Sequence, residues 1–271
     1  MNCKIVLFIL YFLCLLPNHR VLASIEVECA FVQLIQEIGT RYFTPQSRVV
    51  FTPSEYVETT SLSQCFVAGV HSCIHIDLNN ILLDVFAVHD WPYGVNDANI
   101  IKYNFRESKF DYYFLISSFP NSQDMKNEIA IQMQRFKSEY SWNPRAKFVI
   151  LATQAQENNT LIAADVLAEL WTFKVVSAIF VIPNNENFFL DLYTWFPYRI
   201  PGRCADVKDA TLLDRWVFGN KTEGFLYNIP LFPVKVPHDL YGCPLRISTF
   251  DYPPFIFKIK YLDDGTITFE K

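Results

Sequence analysis

An α/β fold built on an open, mostly parallel sheet is what this sequence predicts, and three observations predict it. Apolar runs at 110–119, 147–153 and 175–183 alternate with segments of helical spacing at 124–140 and 159–173. The runs are nearly continuous in apolar residues, as parallel strands covered on both faces require. Hydrophobic residues make up 51% of the 271 residues and aromatics 16%, including 25 Phe. That suffices for the cores of one or two domains and is far from a disordered composition.

Taken in order, the N-terminus comes first. Residues 1–23 combine a short basic start, the apolar run IVLFILYFLCLL and Val21-Leu22-Ala23 before Ser24. These are the parts of a secretory signal peptide cleaved after Ala23. The run is short for an anchor, because a span needs about 20 apolar residues, and no later segment has that length and apolarity. Losing Lys4 and Arg20 takes the formal charge from -5 to -7.

A domain is expected over 24–198. Glu26–Tyr42 fits an amphipathic helix with Phe31, Leu34, Ile35 and Ile38 on one face. Val49-Val50-Phe51 is a short strand before Pro53. Residues 77–91 hold an apolar run, ILLDVFAV, whose type the pattern leaves open. The strand at 110–119 precedes a helix at 124–140 that buries Ile129, Ile131, Met133 and Phe136. The strand at 147–153 precedes a helix at 159–173 that buries Leu161, Ala164, Val166, Leu167 and Leu170. A third strand follows at 175–183 and a fourth at 187–196. Such βαβ units imply right-handed crossovers and a twisted open sheet.

After Phe196 the texture changes. Pro197, Pro201, Pro230, Pro233, Pro237 and Pro244 recur, and proline fixes φ and removes a donor. Residues 199–243 are therefore expected to form an irregular connector with a short hairpin near Gly219 and Gly224. A second domain begins at 244–271, with Leu245, Ile247 and Thr249 on one strand face, and is incomplete.

A secreted chain sits where disulfides form. Without Cys3 and Cys14, five cysteines remain: Cys29, Cys65, Cys73, Cys204 and Cys243. The preferred pairs are Cys204–Cys243 and Cys65–Cys73. Connectivity stays open, and Cys29 could replace either partner of the second pair. Asn158 and Asn220 head glycosylation sequons in polar stretches.

Candidate chemistry is sparse. His71, Cys73 and His75 alternate on one strand face, but a structural zinc site needs four ligands, so no metal is expected. His89 and Asp90 are adjacent and point apart on an extended segment. Asp263-Asp264-Gly265 is a turn. No nucleophile elbow, phosphate loop or nucleophile–base pair is present. Neither enzyme activity nor a cofactor is expected, and the mild acidity argues against nucleic acid. Tyr193, Trp195, Phe196 and Tyr198 could form a ligand platform, but packing is the commoner use of such residues. By analogy with other open sheets, a ligand cleft would lie at the carboxyl ends of the strands, near 117–120 and 153–156.

One stretch carries a resemblance. Leu190–Tyr198, Cys204, Leu212–Trp216 and above all LFPVKVPHDLYGCPLRISTFDYPPF, residues 231–255, resemble the insect ionotropic receptors, the chemosensory branch of the ionotropic glutamate receptors. The likeness is specific over about 187–257. It implies a periplasmic-binding-protein-like N-terminal domain, then a connector that enters the first lobe of a bilobed ligand-binding domain. It implies a ligand-gated cation channel subunit of olfaction, at the extracellular face of the plasma membrane. Its partners would be co-receptor or sister subunits and a small-molecule ligand. Phe255, just after Pro254, matches the aromatic that lines the ligand cleft in the glutamate-receptor relatives. Arg246 does not match the arginine that grips the ligand carboxylate there. The rest of lobe one, the pore helices and lobe two have no counterpart in this sequence, so membrane contact is expected only through segments absent here. A free secreted binding or decoy ectodomain is the alternative.

Overall fold

The computed structural model describes residues 19–44, 47–52, 93–97, 100–101, 109–119, 121–184, 189–198, 204–218, 223–236, 238–244, 257–262 and 267–270. Helix α1 spans His19–Tyr42. Phe31, Leu34, Ile35 and Ile38 lie on one face of it and are all fully buried, the i, i+3, i+4, i+7 stripe of a core-facing helix. The described residues of α1 begin ahead of Ala23, so cleavage there would remove five of them.

Strands β1 (Val49–Thr52), β2 (Tyr93–Asp97) and β3 (Ile100–Ile101) precede β4 (Tyr112–Ser117). Helix α2 (Ser122–Ser138) leads to β5 (Lys147–Ala152), and α3 (Asn159–Thr172) to β6 (Ala178–Pro183). The remaining strands are β7 (Phe189–Thr194), β8 (Thr211–Val217), β9 (Gly224–Phe225), β10 (Phe257–Tyr261) and β11 (Ile267–Glu270).

The sheet has nine strands in the order β3-β2-β1-β4-β5-β6-β7-β8-β9. Its β2-β1-β4-β5-β6 part is parallel, while β6-β7-β8-β9 and the β2–β3 pair are antiparallel. The sheet is thus mixed rather than mostly parallel throughout. The reason is the short link between Pro183 and Phe189, because a parallel return needs a dozen or more residues.

Alternation along the strands sorts the core into two layers. Tyr112, Phe114 and Ile116 face the layer of α1, whereas Tyr113 and Leu115 face that of α2 and α3. Helix α2 is capped by the Asn121 side chain, which accepts from the Asp124 amide, and it carries Arg135 and Lys137 in its last turn, charges that suit its dipole. It buries Met125, Ile129, Met133 and Phe136, but Ile131, expected inside, is 49% exposed. Two residues along a helix turn the side chain by about 200°, so Ile129 and Ile131 cannot share a face. Leu161, also expected inside, is 58% exposed. It shares its side of α3 with exposed Asp165, while Ile162, Val166 and Leu170 form the buried stripe.

The expectation of an irregular connector over 199–243 is corrected. Seven of its residues form β8, a full partner of β7. The prolines flank this stretch, none falling between Pro201 and Pro230, so its ladder amides are intact. The expected hairpin exists as the β8–β9 pair. Near the C-terminus, β10 and β11 form a separate antiparallel pair.

Candidate functional site

The segment that leaves β9 runs back along the sheet in extended form. Leu231 is buried in the α1-side layer, and its amide donates to the Tyr42 hydroxyl at 2.8 Å. Phe232 meets the Tyr42 ring edge-on at 5.3 Å. Val234 points outward at 90% exposure, and Lys235 turns inward to 7%. The start of the segment is held by Asp214 on β8. This buried carboxylate accepts from the amides of Arg215 at 2.7 Å, Tyr227 at 2.9 Å and Ile229 at 3.0 Å. Its end is held by the Cys204–Cys243 disulfide, with the two Cα atoms 5.2 Å apart.

Between the sheet edge and this segment lies a cavity of about 500 Å³. Phe196, Tyr198, Leu212 and Leu213 line it from the β7–β8 side, and Ile229, Val234 and Tyr241 from the segment. Its polar contributors are Thr211 and Lys235. Its volume and mainly apolar wall fall in the range of small-molecule sites, although it is open to solvent rather than enclosed.

Lys235 is the electrostatic centre of the region. Its Nζ donates to the Thr194 hydroxyl at 2.6 Å, to the Val176 carbonyl at 2.8 Å and to the Ala178 carbonyl at 3.2 Å. All three acceptors are neutral, and among the described residues no carboxylate pairs with it. Burial without a counter-charge disfavours the ammonium and pushes the Lys235 pKa down to about 7. The Ala178 carbonyl has a second donor, the Thr194 hydroxyl, at 2.7 Å.

The carboxyl ends of the parallel strands were the place expected for a ligand cleft. There the strand order reverses between β1 and β4. Thr52, Ser117 and Gln132 are buried near this point. Among the described residues, Thr52 Oγ1, Ser117 Oγ and Gln132 Oε1 have no hydrogen-bond partner, while Gln132 Nε2 donates to the Ile116 carbonyl at 3.0 Å. Thr153 and Gln156 are half-buried, and the Thr153 amide donates to the Ser117 carbonyl at 2.9 Å.

The residues singled out from sequence fall as follows. Cys204 and Cys243 are joined. Cys65, Cys73, His71, His75, His89, Asp90, Phe255, Asn220 and the Asp263–Gly265 turn lie outside the described residues. Asn158 is exposed and caps α3, its Oδ1 accepting from the Leu161 amide at 3.1 Å. Of the aromatic set, Tyr193 and Trp195 are core residues, whereas Phe196 and Tyr198 line the cavity. Sequence reasoning passed over Lys235 and Asp214. The signal for Lys235 is a lone cation in the apolar, proline-flanked run LFPVKVP.

Among the described residues no group of three or more His, Cys, Asp or Glu is placed to hold a metal, and no helix is long and apolar enough to cross a membrane. Compared with protein-family models, with curated proteins and with solved structures, the chain matches none.

Proposed function

We propose that this chain is the extracellular N-terminal part of an ionotropic chemosensory receptor, a ligand-gated cation channel subunit whose pore is carried by other segments. On this reading the α/β unit is periplasmic-binding-protein-like, and it works beside co-receptor or sister subunits. One observation carries the reading. The stretch most like that family is 231–255, and its described residues 231–236 and 238–243 lead away from the sheet unit, anchored at Leu231 and Lys235 and tied back by Cys204–Cys243. A segment that hands force or geometry to a following domain has to be fixed to the domain it leaves.

The extracellular setting draws support from the same disulfide and from Asn158. That side chain caps α3 through Oδ1, which leaves its Nδ2 for a glycan. The second reading, a secreted small-molecule-binding or decoy ectodomain, is favoured by the cavity itself, since it needs no further lobe.

Sequencing the transcript past the Lys271 codon, followed by expression of its product, tests both. A reading frame that continues into further lobe segments and three apolar spans is expected, with surface labelling and a glycosidase-sensitive mass. A stop codon there, with the protein in the medium, transfers the assignment to the secreted binder. Cytosolic retention with Cys204 and Cys243 reduced sinks both.

A further inference from the structure

We propose that the cavity between the β7–β8 edge and the 229–241 segment is a binding site for a small amphipathic anion: an apolar chain or ring carrying one acidic head. The inference does not rest on the receptor reading and holds equally for a secreted chain.

Charge complementarity singles out this occupant. The cavity wall is apolar and aromatic, with Phe196, Tyr198, Leu212 and Tyr241 among its residues, which suits a hydrocarbon body. The one charged residue that lines it is Lys235, buried and without a carboxylate partner among the described residues. A buried charge is ordinarily paired, and among the described residues Lys235 has neutral acceptors only, so an acidic head group would supply a counter-charge. Lys235 can release a donor for it without orphaning a carbonyl. Its longest contact is the 3.2 Å bond to Ala178, and that carbonyl keeps the Thr194 hydroxyl. At the mouth, Val234 and Tyr241 are exposed, so the site opens to solvent. An uncharged ligand would use the same wall but add no counter-charge to the lysine.

The test uses octanoate and 1-octanol, which share a chain and differ in the head. Calorimetry at about pH 6, where Lys235 is charged, should show octanoate binding at least about tenfold tighter, the size of one charge-assisted hydrogen bond. Octanoate should also raise the Lys235 titration followed by carbon NMR at its ε position. Val234→Glu, at the exposed mouth, brings a like charge beside an anionic head and should weaken octanoate several-fold more than octanol. Lys235→Met should remove the preference for the acid. Equal affinity for the two probes, no binding of either, or indifference of octanoate to Val234→Glu would each overturn the proposal. Self-association that Val234→Glu abolishes, without octanoate binding, would overturn it in favour of a second copy of the chain.

Discussion

Lys235 illustrates how one residue can hold two elements together at a cost. Its ammonium bonds acceptors from the α3–β6 link, β6 and β7 at once, yet it does so inside, where water cannot solvate the charge. With its pKa down at about 7 in the fold against about 10.4 for a free lysine, the folded state binds fewer protons than the unfolded one between those values. Stability therefore rises with pH across that window, and the full penalty is present below it. Compared with Lys235→Met, the natural chain should gain about 2 kcal/mol between pH 7 and pH 9, read from urea unfolding at each pH. A flat difference would mean that the lysine is solvated. Glycan attachment at Asn158 is a second matter at this scale. Attachment through Nδ2 keeps Oδ1 on the Leu161 amide, so enzymatic deglycosylation should shift the melting point by less than Asn158→Ala, which loses the cap and about 1 kcal/mol.

At the scale of elements, the β8–β9 hairpin and the segment after it depend on Asp214. Its two oxygens serve three backbone amides, and an amide side chain could offer only one. Asp214→Asn should cost about 2–3 kcal/mol and should raise hydrogen exchange at Tyr227 and Ile229 first. If exchange there stays slow, another group is holding the turn. The helices and central strands were legible because each obeys a single period over its length. Phe31, Leu34, Ile35 and Ile38 repeat at helical spacing, and FVILA in β5 is apolar throughout. Ile131 and Leu161 lie outside, against expectation, because burial follows the angle around the helix rather than the number of apolar residues in it. Strand β8 was hidden by prolines that surround it without falling within it. The antiparallel turn of β7 was readable from the short link before it, given what a parallel crossover requires.

For the whole molecule, Cys204–Cys243 closes a loop of 39 residues separation around β8 and β9. Replacing both cysteines by serine should cost about 4 kcal/mol on the loop-entropy account, measured by denaturant unfolding. A loss under about 1 kcal/mol would show that the reduced, unfolded chain is already constrained there. The sheet order also belongs to this scale. Strands β1 and β4 are neighbours although β2 and β3 lie between them in sequence, and that crossing brings Thr52 and Ser117 to one end of the sheet.

By itself the sequence determined the helices and strands of the βαβ units and the two covered faces of the sheet, because periodicity is a local property, and it named Cys204–Cys243 as a preferred pair. It also marked 231–255 as the stretch with a recognisable likeness. Only the tertiary structure decided that β7, β8 and β9 extend the parallel sheet in antiparallel fashion, and that Phe196, Tyr198, Leu212 and Tyr241 share a cavity with Lys235. The physical reason is that a cavity and a buried charge are made by residues far apart in the chain. Lys235 is 57 residues from the carbonyl of Ala178 that it reaches. No pattern along the chain encodes that approach, and only the packing of the segment against the sheet edge brings the two together.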